Sequence, residues 1–156
     1  MGKKVVRVFL DSNVLLSGLL SERGAPRIIL DLLSLGLPFL IGSTGRYNLT
    51  EIERNLRNKM PGLLSLYKAY LPKLNLKVIP LPRPRDIRGF PGQIAEKDIP
   101  VLISAIRSRA DFLVTGDKQH FGKVKGDDKY PFHVLTPSEF VDSILPEILK
   151  GLEEKE

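Results

Sequence analysis

The run Val5-Val6-Arg7-Val8-Phe9-Leu10 constrains this chain more than any other stretch. It is too short for a buried helix of ordinary length. Its β-branched and aromatic bias suits a strand buried on both faces, as in parallel sheets. The run stops at Asp11-Ser12-Asn13, and apolar residues then resume with helical character from Val14. In an open α/β sheet, ligands bind just beyond the carboxyl ends of the strands. Asp11 therefore stands where a reactive carboxylate belongs. Asp is also a favoured helix N-cap, so the residue type alone leaves both readings open.

The rest of the chain alternates in the same way. Val14–Leu20 reads as a short helix, and Pro26–Leu35 as a second one, with Pro at its first position and Gly36 closing it. Phe39–Gly42 reads as a strand with Ser43-Thr44-Gly45 as its turn. Helical patterns follow at Tyr47–Asn58 and Leu63–Leu71, limited by Met60-Pro61-Gly62 and Pro72. Leu76–Ile79 suits a third strand, and the proline-rich Pro80–Arg85 an extended connector. A helix over Asp98–Ser108, strands at Phe112–Thr115 and His133–Leu135, and a last helix complete the pattern. Thr136-Pro137-Ser138-Glu139 has the form of a capping box opening that helix, and Pro146 is expected to interrupt it. The expected architecture is a three-layer α/β/α sandwich on a mostly parallel central sheet.

The 156 residues suit one domain with a sizeable core, assigned to 1–150, followed by a short tail over 151–156. The absence of Cys excludes disulfide scaffolds and thiolate metal sites. No stretch approaches the roughly 20 apolar residues of a membrane span. No signal-peptide core precedes the first strand, and the cytoplasm is the expected compartment. The net charge is +6, and residues 46–88 concentrate it, with ten basic side chains against three acids. A basic segment on a near-neutral body points to a polyanion, with nucleic acid first, although a solvated lysine-rich surface gives the same count.

A second strand end repeats the first. Phe112-Leu113-Val114-Thr115 runs through Gly116 into Asp117. If the two strands are parallel neighbours, Asp11 and Asp117 leave the sheet at the same edge. Glu51 and Asp98 lie near the starts of helices, where a lone carboxylate usually serves the helix dipole. Four acids converging on one rim would raise one another's pKa unless a cation neutralised them. Hard oxygen donors of this kind suit Mg2+ or Mn2+.

In these residues the chain resembles the PIN-domain nucleases along nearly its full length. The resemblance is carried by Phe9-Leu10-Asp11-Ser12-Asn13-Val14-Leu15, Glu96-Lys97-Asp98-Ile99-Pro100-Val101-Leu102, Ala110–Asp117 and Leu135–Phe140. It implies a metal-dependent endoribonuclease, with Mg2+ or Mn2+ as cofactor and RNA as substrate. The family's four acids fall on Asp11, Glu51, Asp98 and Asp117, with Glu53 the neighbouring alternative for the second. Glu53 would point about 200° away from Glu51 around a helix. Glu96 is the one candidate here for an additional acid before the third. Asn13 and Thr115 match polar positions that orient the first acid and the metal water.

Two departures from the family pattern stand out. The spacing of Glu96 from Asp98 is unusual for a shared metal, and Arg46-Tyr47-Asn48 is unlike the commoner form. Arg46 and Arg54 share the expected helix of Glu51 and are the preferred RNA contacts, with Tyr47 a candidate for base stacking. His120 and His133 are weaker candidates, a structural role being commoner for such residues. The resemblance also implies a homodimer, and a place as the toxin of a toxin–antitoxin pair with an antitoxin protein as partner. A phosphoaspartate-type phosphatase would want an acid where Asn13 stands, and no Gly-rich loop marks a dinucleotide site. The serious rival is a catalytically inert PIN-like module that binds RNA or protein.

Overall fold

The computed structural model describes residues 5–92, 94–117, 121, 124 and 129–153. The strands are β1 (Val6–Leu10), β2 (Leu40–Gly45), β3 (Lys77–Ile79), β4 (Phe112–Val114) and β5 (His133–Leu135). They form one sheet in the order β3-β2-β1-β4-β5, and every pairing is parallel. The helices are α1 (Ser12–Leu20), α2 (Ala25–Ser34), α3 (Arg46–Lys59), α4 (Leu64–Tyr70), α5 (Pro84–Arg88), α6 (Ile99–Arg107) and α7 (Pro137–Glu153).

The central strand β1 is buried on both faces, as its apolar run requires. Val6, Val8 and Leu10 point into a core with Leu15, Ile29, Leu33 and Ile148, from α1, α2 and α7; Leu49, Ile52 and Leu56 of α3 extend that layer. Phe9 points the other way, against Val101, Leu102 and Ala105 of α6 and Val134 of β5. This is the α/β/α sandwich expected from the alternating pattern. The chain builds β2 and β3 on one side of β1, then crosses back to place β4 on the other. The strand order therefore reverses between β1 and β4, which is where open sheets leave a crevice at their carboxyl edge.

Four local expectations are corrected. Ser43-Thr44-Gly45 is strand, because β3 pairs with all three residues. Their buried hydroxyls are satisfied by β1 carbonyls, Thr44 Oγ1 donating to Leu10 O at 2.8 Å and Ser43 Oγ to Val8 O at 3.4 Å. Pro84-Arg85 belongs to the short helix α5, since Pro is tolerated in a first turn where its missing N–H has no partner to lose. Pro146 lies inside α7 without ending it. Pro146 and Asp142, four residues earlier, are both exposed, so water can take the hydrogen bond that the helix loses. Residues 151–153 continue α7 where a tail was expected, and Leu152 packs against the core. The Thr136–Glu139 capping box forms as read, Thr136 N donating to Glu139 Oε1 at 2.9 Å and Glu139 N to Thr136 Oγ1 at 3.1 Å.

Candidate functional site

Asp11, Glu51, Asp98 and Asp117 line one cavity of about 300 Å3 at the carboxyl edge of β1 and β4. Each comes from a different part of the chain. Asp11 ends β1 and caps α1, and it also lines the cavity at that edge. Asp117 follows β4, whose register sets Val114 beside Leu10. Asp98 is the N-cap of α6, and Glu51 lies in the second turn of α3. Asn13, Asn55, Lys97, Val101 and Phe121 complete much of the wall. Glu53 does not line it; its charge acts on the buried Tyr67 of α4 instead. Glu96 is exposed and also outside the wall, which this segment enters through Lys97 and Asp98.

Asp11 is held at both carboxylate oxygens. Its Oδ1 accepts from Ser12 N at 2.8 Å and Asn48 Nδ2 at 3.1 Å, and its Oδ2 from Thr115 Oγ1 at 2.9 Å. Those bonds favour the charged form, but burial outweighs them, and the Glu51 and Asp98 charges add to the effect. Together they push the carboxyl up to about 6. Thr115 Oγ1 also accepts from Asp117 N at 3.1 Å, so one hydroxyl ties the first acid to the fourth. Replacing Thr115 with Val removes both bonds at nearly constant volume. Metal affinity or turnover is expected to fall about 10–100-fold, measured by Mn2+ titration and initial rates.

Asn48 is the residue that sequence reasoning missed. It is fully buried. Its Oδ1 accepts from Gly45 N at 3.2 Å, which fixes the amide with its Nδ2 toward Asp11 and toward Ser12 Oγ at 2.9 Å. The signal was available. Asn48, Leu49, Ile52 and Leu56 share the inward face of α3, and a polar residue on such a face must find partners. Asn13, expected to orient Asp11, accepts instead from Gly116 N at 2.9 Å and so braces the turn that carries Asp117.

The basic candidates separate. Around α3, Arg54 lies about 60° from Glu51 and Arg46 about 140°. Consistently, the Arg54 charge acts on Tyr47, and the Arg46 charge on Tyr67. Burial and the charges of Glu51, Asp98 and Asp11 raise the Tyr47 phenol, which places Tyr47 beside the acids. His133 begins β5 at the opposite edge of the sheet, in a second cavity with Asp111 and Glu147. His120 lies outside the described residues.

The donor chemistry of the first cavity fits a hard divalent cation. Among the described residues, no three acids or histidines are gathered closely enough to cage an ion by themselves. No helix among the described residues is long and apolar enough to cross a membrane.

Among curated proteins, none matches this sequence. Several solved structures share the fold. FitAcB from Neisseria gonorrhoeae superposes with a TM-score of 0.59 at 19% identity, covering 84% of this chain and 98% of its own. VapBC2 from Rickettsia felis, bound to a DNA fragment from its promoter, gives 0.57 at 14%, covering 84% and 98%. VapBC-1 from nontypeable Haemophilus influenzae gives 0.56 at 14%, covering 85% and 99%. At these identities the likeness is one of fold. The sequence itself matches the PIN domain family over residues 7–119, a span that holds all four acids and the strands that position them. The chain belongs to the PIN domain family, whose members are in general nucleases.

Proposed function

We propose that this chain is a divalent-metal-dependent endoribonuclease, with Asp11, Glu51, Asp98 and Asp117 as its metal-binding and catalytic acids. The observation that carries the reading is the meeting of four carboxylates from four chain segments in one cavity, with Asp11 buried among the charges of two others. A structural role explains each acid singly but gives no reason for their convergence. Bound Mg2+ or Mn2+ would supply Lewis-acid stabilisation of the phosphoryl oxygens and activate water for in-line attack. The chain's own part is to hold the acids. Thr115 orients Asp11 and Asp117 together, Asn48 and Ser12 fix the other Asp11 oxygen, and Asn13 braces the turn at Gly116.

RNA is the preferred substrate because residues 46–88 form a basic segment that includes α3, the helix carrying Glu51. Phosphate contacts of that kind position a strand without reading its sequence. Arg54 lies nearer Glu51 around α3 than Arg46 does, which favours it as the phosphate contact. Arg54→Ala is expected to lower the salt dependence of RNA binding by about one phosphate contact, a slope change of roughly 0.7 for single strands. Arg46→Ala should change it less, and filter binding across a salt series compares them. By fold-level analogy with the VapBC and FitAcB complexes, the chain would act as the toxin of a toxin–antitoxin pair, partnered by an antitoxin protein.

The test is incubation of the purified protein with structured and single-stranded RNAs in EDTA, Mg2+ or Mn2+, beside folded Asp11→Asn and Asp117→Asn variants. Cleavage that requires metal and disappears in both variants is the expected result. RNA binding without cleavage in either metal would make the chain an inert binding module. Cleavage surviving both substitutions would refute the assignment of the acids.

A further inference from the structure

The hydrogen bonds around Asp11 determine how many ions it can serve. A carboxylate offers about four lone-pair directions, two on each oxygen. Both directions on Oδ1 are taken, by Ser12 N at 2.8 Å and Asn48 Nδ2 at 3.1 Å. One direction on Oδ2 is taken by Thr115 Oγ1 at 2.9 Å. Counting the hydrogen bonds of the described residues, a single direction is left, on Oδ2, and Asp11 lines the cavity.

A carboxylate can join two cations by giving one oxygen to each, or by giving both lone pairs of one oxygen. The first mode needs Oδ1, which Asn48 helps to close. The second needs all of Oδ2, which Thr115 shares. Asn48 is also poorly placed to yield. It is fully buried, its carbonyl end is held by Gly45 N at 3.2 Å, and its second N–H is held by Ser12 Oγ at 2.9 Å. A Cβ on residue 45 would come within 2.8 Å of Asn48 Oδ1, so the neighbouring backbone closes tightly on the amide.

We propose, resting on the nuclease reading above, that Asn48 is a positioning residue that limits Asp11 to one cation, held through Oδ2 alone. The site then contains no pair of ions bridged by Asp11. Nuclease centres that use two metals about 3.5–4 Å apart clamp the attacking and leaving oxygens between them. Here any second ion has to be held without Asp11, or its role taken by the chain's own groups.

The experiment uses the full chain stripped with EDTA and titrated with Mn2+, read by electron paramagnetic resonance, for wild type, Asp11→Asn and Asn48→Ala. The expected result is the spectrum of isolated Mn2+ ions, with the Asp11-dependent ion lost in Asp11→Asn. A folded Asn48→Ala should bind that ion about 10–100-fold more weakly, because Asp11 is no longer fixed. An exchange-coupled Mn2+ pair in wild type that vanishes in Asp11→Asn would overturn the inference and leave the nuclease reading standing. Unchanged Mn2+ affinity in folded Asn48→Ala would overturn the positioning role. If Asn48→Ala fails to fold, the wild-type spectrum still decides between isolated and bridged ions. A wild type that binds no Mn2+ and cleaves no RNA would remove the nuclease reading itself.

Discussion

Asp11→Asn is expected to abolish metal-dependent cleavage and, in metal-free buffer at neutral pH, to make the protein more stable. The first effect comes from losing a metal-binding carboxylate, the second from its burial. The folded carboxyl is raised from 3.8 to about 6, so folding favours its protonated form. The stabilising contribution is complete below pH 4 and is lost as pH rises through about 6. A shift of about two units corresponds to roughly 3 kcal/mol. Asn is nearly isosteric with Asp and carries no charge. Its Oδ1 can keep the Ser12 and Asn48 bonds, and its amide can face Thr115 Oγ1. Urea denaturation in EDTA should therefore show the variant more stable by up to about 3 kcal/mol at pH 7.5, with the gap closing near pH 4. Added Mg2+ should stabilise wild type and leave the variant unmoved, since only an ion-binding native state gains from ligand. Equal stability of the two proteins at both pH values would show that the carboxylate is not strained by its surroundings.

The second large effect lies at Gly45, where β2 ends and α3 begins. Its backbone, at φ −94° and ψ 151°, is open to any residue, so the requirement for glycine is one of space. An added Cβ would meet Asn48 Oδ1 at 2.8 Å and, from α6, Ser104 Oγ at 2.9 Å and its Cβ at 3.1 Å. Neither neighbour is a long flexible side chain that can swing clear, and both are fully buried. Overpacking of this kind costs about 1–3 kcal/mol. A displaced Asn48 would leave buried polar groups unmet at a similar further cost. Gly45→Ala should thus lose on the order of 2–5 kcal/mol and weaken metal binding with it. Gly62→Ala, with no atom within 4 Å of the added methyl, is the control and should be neutral. A Gly45→Ala protein as stable as that control would refute the tight seat drawn around Asn48.

Much of this was legible in the sequence where one residue's chemistry speaks for itself. The apolar run before Asp11 gave away a central parallel strand, and its repetition before Asp117 implied that the two acids share an edge. The spacing of Glu51 and Glu53 showed that only one could face the same way as a partner, but not which; packing of α3 against α4 places Glu53 on the other side. What stayed hidden depends on pairing at a distance. Ser43 and Thr44 look like turn residues until β1 carbonyls are there to receive their hydroxyls. Asn48 looks like an ordinary polar helix residue until Asp11, 37 positions away, is set against it. Pro146 looks like a helix breaker until the exposed face it occupies is known.

The strand order also determines when the four-carboxylate cavity can form. β1 is the first strand made, yet the hydroxyl that orients its aspartate is 104 residues further along the chain. Contacts that close so long a loop form late and slowly compared with local ones. A chain emerging from the ribosome can pair β1 with β2 and β3 while its first acid still lacks both Thr115 and Asp117. The cavity of four carboxylates is thus not assembled until synthesis has passed β4, and a product that ends before that strand lacks both the Thr115 hydroxyl and Asp117.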